Sequence, residues 1–185
     1  AQDVQQNQTG KANQAQQQSE KTLEEMLKEI DSSQKRRDEA LKRVLTDLMQ
    51  SIEKLITEQE NQIAALASAI DSGNFEGLGR ALASLRANTL GVAANAEVRE
   101  VAEIVQRLSA AADHQDTAGA NLKPPADAVV ADENERMSLK RLQEAKELAK
   151  IMQDEAEKRD EDRKRAELLQ AYREVLDAKV KVTDD

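Results

Sequence analysis

Apolar residues recur at steps of three and four along most of the chain. One stripe runs through Leu23, Met26, Leu27 and Ile30. It resumes at Leu41 and continues through Val44, Leu45, Leu48, Ile52, Leu55, Ile56, Ile63, Leu66 and Ile70. That spacing marks a helix with one buried face. It predicts a first helix over about residues 19–71, capped by Ser19 and carrying acid in its first turns. Gln34, Arg37 and Gln59 fall on the seam and interrupt it. A second stripe (Leu78, Leu82, Leu85, Leu90, then Val98, Val101, Ile104, Val105, Leu108) predicts helix over about 76–113, with a break near Gly91. A third stripe runs Leu142, Ala145, Ala149, Met152 and Ala156. It resumes at Leu168, Leu169, Tyr172, Val175 and Leu176, and predicts a helix over about 128–180.

The punctuation between the stripes sets the connections. Asp71–Ser72–Gly73–Asn74–Phe75 reads as a tight turn, with Gly73 in the left-handed conformation and Asn74 capping the next helix. Such a short turn joins antiparallel neighbours. Residues 114–127, with Gly119 and the pair Pro124–Pro125, read as a linker. Residues 1–18 are rich in Gln, Asn and Ala and read as a flexible lead-in. The fold expected is all-α: an elongated antiparallel helical bundle or coiled coil of three long helices, the middle one broken near Gly91. Residues 19–180 would form this single bundle.

Composition narrows the picture. The 185 residues include one Phe, one Tyr and no Trp, so any core must be built from Leu, Ile, Val, Met and Ala. That is the material of helix–helix packing. The net charge of −9 repels phosphate backbones and anionic lipid, which disfavours nucleic acid and membrane surfaces as partners. No stretch approaches the roughly 20 apolar residues of a membrane span. Absence of cysteine excludes disulfides, zinc ribbons and thiol catalysis. It suits an extracytoplasmic compartment, the expected location if Ala1 is a processed terminus; the cytoplasm is the alternative.

From Asp154 to Glu167 every residue is charged except Ala156 and Ala166. A helix polar all round projects into solvent, leans on a partner through charge, or lives on its own ion pairs. Asp154/Lys158, Glu155/Arg159, Asp160/Lys164 and Glu161/Arg165 stand in the favourable i,i+4 order. Arg159 and Arg163 occupy the seam within this run.

Candidate chemistry is sparse. A di-metal carboxylate site in a bundle needs two Glu-x-x-His pairs, and the chain has one histidine, His114. No glycine-rich phosphate loop is present. No metal, cofactor or catalytic residues are assigned, and an enzyme is not expected. The function expected is a non-enzymatic structural or interaction protein, an extended coiled-coil scaffold or assembly subunit binding other protein helices, including its own. The candidate partner contacts are Leu168, Leu169, Tyr172, Leu176 and Phe75, the last also read as a plug across its turn. The alternative is a ligand-sensing or chaperone-like helical bundle of an extracytoplasmic protein, with a pocket shaped by the Ala-rich middle helices.

Overall fold

A computed structural model describes the backbone of residues 2–98 and 101–183, and the side chains of 16–75, 77–96, 101–176 and 179. Among the described residues the structure is all-helical, with four helices: α1 (Gln2–Ala69), α2 (Glu76–Val98), α3 (Ala102–Asn121) and α4 (Ala128–Thr183). The chain divides into two compact units, Ala1–Ala40 and Leu41–Asp185.

Several boundaries differ from the sequence reading. Helix α1 begins at Gln2 rather than near Ser19. Gln, Ala and Lys are good helix formers, and without proline in 2–18 the single Gly10 does not stop propagation. The break expected near Gly91 is not there. Gly91 is an exposed position inside α2, and the chain turns instead at Val101, whose φ of −100° and ψ of 63° leave the helical region. A glycine in a helix interior costs about 1 kcal/mol relative to alanine. The buried flanks Leu85, Thr89, Ala93 and Ala96 offset that cost. The middle region is therefore two helices, not one broken helix. The expected linker 114–127 is also shorter, because α3 continues to Asn121 and places His114 on a helix. Its apolar seam simply goes on, from Leu108 through Ala111, Gln115 and Ala118 to Leu122.

The turn after α1 matches its reading, with Gly73 at a φ of 65° and its N–H donating to the Ala69 carbonyl at 3.0 Å. Helix α4 starts at Ala128 as expected. The Asp127 carboxylate accepts from the Val130 N–H at 3.1 Å, a side-chain cap.

Within the second unit, cross-helix contacts fix the chain directions. Lys42, Thr46 and Glu53 of α1 meet Asp160, Gln153 and Lys146 of α4, so these segments run antiparallel. Arg107 and His114 of α3 meet Glu144 and Asn134 of α4, again antiparallel. Arg86 of α2 pairs with Asp116 of α3 at 3.4 Å, and Asn88 of α2 donates to Glu58 of α1 at 3.4 Å.

Two apolar clusters result. The larger joins Leu45, Leu48, Ile52 and Leu55 of α1 to Leu85 of α2, Ile104 and Leu108 of α3, and Leu142, Ala145 and Ala149 of α4. The smaller joins Leu66, Leu82, Ala118, Leu122 and Ala131 at the turn end. The small residues of α4 lie fully buried against their neighbours, which is how an alanine seam permits close helix approach.

Candidate functional site

Three features stand apart from ordinary core and surface. The first is the resumed stripe near the end of α4. Leu168, Leu169, Tyr172, Val175 and Leu176 are each 54–65% exposed, unusual for large apolar side chains at seam spacing. They span roughly 12 Å of helix. Their neighbours Arg165, Glu167, Arg173 and Glu174 carry mixed charge, so no field of one sign guards the stripe. In the first unit Leu23, Met26, Leu27 and Ile30 form a second exposed stripe, 55–66% accessible. Phe75, the remaining candidate, is placed differently. It is half-buried and packs on the Leu66–Leu82–Ala118 cluster, as a plug does.

The second feature is a buried polar layer between the two apolar clusters. Gln59 of α1, Gln115 of α3, and Glu135 and Ser138 of α4 are all fully or almost fully buried. Gln115 Nε2 donates to Gln59 Oε1 at 3.1 Å, a glutamine pair that ties α1 to α3. Both Glu135 carboxylate oxygens and the Ser138 hydroxyl lack hydrogen-bond partners. Removal from water disfavours the charged carboxylate, and the nearby Asp132 adds repulsion, while Arg136 opposes both. The Glu135 carboxyl is thereby pushed up to about 7.

At the far end of the packed region Asp160 shows the opposite behaviour. Its carboxylate accepts from Lys164 at 2.9 Å and from Lys42 at 3.3 Å. The Lys164 hydrogen bond holds it below the usual aspartate value; burial opposes and Lys42 assists. Arg163, on the seam, is largely buried beside it at 3.7 Å, whereas Arg159, Gln34 and Arg37 are exposed.

The third feature is a cavity of about 990 Å³ at the turn end, between α2, α3 and the 122–126 segment. Phe75 and Leu122 give it apolar wall; Arg80, Arg86 and Lys123 give it positive charge, against Asp116.

His114 has a structural role. Its Nδ1 lies 3.1 Å from Asn134 Oδ1, and the Asn134 amide nitrogen donates to the Val130 carbonyl at 2.9 Å. That second bond fixes the amide orientation, so Nδ1 of His114 is the donor and pins α3 to α4. Among the described residues no three His, Cys, Asp or Glu side chains gather as a metal-holding group. No helix among them is long and apolar enough to cross a membrane. Comparison with protein-family models, with curated proteins and with solved structures finds no match.

The sequence marks the α4 stripe and one member of the polar layer, Gln59 on the α1 seam, but not Gln115, Glu135 or Ser138. The polar layer had a signal. Extending the α4 seam backward from Leu142 in steps of four, three and four reaches Ser138, Glu135 and Ala131. The alternative reading puts a pocket at the Ala-rich middle helices, but the sequence does not place it at the turn end, because that depends on how the two connections fold over one another.

Proposed function

We propose that this chain is a non-enzymatic structural and interaction protein. It acts as a coiled-coil scaffold or assembly subunit whose helices pack in an antiparallel bundle and bind helices of other protein chains, a second copy of itself first among them. The single observation that carries the reading is the α4 stripe: five large apolar side chains at helical spacing, more than half exposed. Contiguous apolar surface of this kind marks interaction sites, and an amphipathic helical stripe is matched by another helix laying its own stripe alongside. The polar layer supports the same reading. Buried polar groups in helical assemblies set register and partner number at a cost in stability. The low aromatic content and the scattered carboxylates give little material for a reaction site.

The test is sedimentation equilibrium over a concentration series from about 10 µM to about 1 mM, the range of modest helix–helix affinities. Concentration-dependent association, lost in the Leu169→Glu/Leu176→Glu variant at unchanged helicity, supports the proposal. A monomer throughout, indifferent to those substitutions, refutes self-association through the stripe.

A further inference from the structure

Helices α2 and α3 carry glycine at four positions that neither backbone nor packing requires, Gly77, Gly79, Gly91 and Gly119. Gly79 and Gly119 lie inside helices, and the one positive-φ glycine among the described residues is Gly73. A Cβ added at Gly79 would meet nothing within 4 Å, and one at Gly119 would meet only Leu82 Cβ at 4.0 Å. Alanine at either position would therefore fit, and each glycine costs about 1 kcal/mol of helix stability against it. Both line the same turn-end cavity. What the missing side chains leave is open space there, widened by the short side chains of Ala83 and Ala120.

Charge identifies what that space accepts. The chain as a whole carries −9, yet the cavity wall sets Arg80, Arg86 and Lys123 against the single acid Asp116. Asp116 lies 3.4 Å from the Arg86 guanidinium, and both side chains remain substantially exposed. Lys123 makes no ion pair among the described residues. Two helix ends meet at the rim. Helix α2 begins there with Glu76, just after Asn74 and Phe75. The opposing negative end of α3 is tied up, because the carbonyls of Ala118, Ala120 and Asn121 accept from the N–H groups of Leu122, Lys123 and Asp127. Phe75, Leu122 and Pro124 line the cavity with apolar surface, beside three basic side chains and one acidic one.

We infer that the turn-end cavity is a binding site for a small organic anion: a carboxylate on an aromatic or aliphatic body. The volume of about 990 Å³ lies at the upper end of the range for small-molecule pockets. The carboxylate faces the Arg80–Arg86–Lys123 side, and the apolar body lies along Phe75 and the small-residue walls. This site is separate from the α4 stripe, so it stands or falls independently of helix-mediated assembly.

The test uses 2-naphthoate and its neutral methyl ester as probes, read by amide chemical shifts of the full chain. 2-Naphthoate is expected to move resonances within residues 73–86 and 115–126, and the ester to bind at least tenfold more weakly. Lys123→Glu should weaken 2-naphthoate at least fivefold. Gly79→Leu, which fills the space, should abolish binding with Tm unchanged or raised. Gly119→Ala serves as a second filling variant and should weaken binding while leaving the fold intact. The inference is overturned by an absence of shifts at millimolar probe, by equal binding of the ester, by shifts confined to residues 168–176, or by a folded Gly79→Leu variant that binds like the parent.

Discussion

Glu135 is the residue whose chemistry departs furthest from its type. It is fully buried, with no hydrogen-bond partner for either oxygen, and titrates near 7 rather than 4.5. Below pH 4.5 the carboxyl is protonated in both the folded and unfolded chain, and its burial carries no charge penalty. As pH rises from 4.5 towards 7 the unfolded chain ionises first, so stability falls; above about 7 the full penalty is present. That penalty is about 3 kcal/mol at most. We expect Glu135→Gln to raise Tm at pH 8 by roughly 6–12 °C for a chain of this size. Little change is expected at pH 4.5, and thermal melts at the two values check it. Asp160 acts with the opposite sign. Its depressed carboxyl contributes stability above its usual value of 3.8, lost as pH falls through the lower folded value. Stability should therefore be greatest in mildly acidic solution. Asp160→Asn should reduce the acid-side loss, to which Glu144, held low by its hydrogen bond with Arg141, also contributes, and leave the alkaline-side loss in place. Glu135 was legible only after the fact, since residues 131–142 hold several acids and only the seam's phase singles out this one.

At the scale of elements, α4 is held by an alanine seam. Ala145, Ala149 and Ala156 have no exposure, so the neighbouring helices sit against their methyl groups. Ala149→Leu adds three carbons to a filled interface and should destabilise by about 1–3 kcal/mol, read as a lower urea midpoint. The turn after α1 depends on one conformation. Gly73→Ala forces a side chain into a φ of 65° and should destabilise by about 1 kcal/mol. These elements were legible because their signals are local: step-three and step-four spacing, a glycine after a helix, an aspartate before one. Leu90 shows where local reading fails. Its spacing puts it on the seam, yet it is exposed, and Thr89 takes the buried position, its hydroxyl donating to the Leu85 carbonyl at 2.9 Å. A hydroxyl that satisfies itself within its own helix can stand in a core, and the hydropathy pattern does not register it. The Val101 turn escaped for a related reason. It has neither glycine nor proline, and its partners are set by which faces α2 and α3 bury together.

The whole molecule carries apolar surface that the described core does not absorb. The stripes at Leu23–Ile30 and at Leu168–Leu176 repeat the spacing of the buried seams yet remain exposed. Residues 19–31 hold five acids and two bases, Lys21 and Lys28, a net of −3, whereas residues 165–176 hold two of each sign. Pairing two copies of the acidic stripe side by side is disfavoured by repulsion. Association should therefore run through the neutral α4 stripe and change little with salt. Sedimentation equilibrium at about 50 mM and about 500 mM NaCl, which shortens the screening length severalfold, checks this.

The most direct measurement of the central claim is the oligomeric state of the chain beside its Leu169→Glu/Leu176→Glu variant, by sedimentation equilibrium at matched concentration and matched helicity. The parent is expected to associate reversibly, and the variant to be monomeric and equally helical. A parent that stays monomeric to about 1 mM, well beyond the concentrations at which specific helix pairs form, or a variant that associates as the parent does, would contradict it.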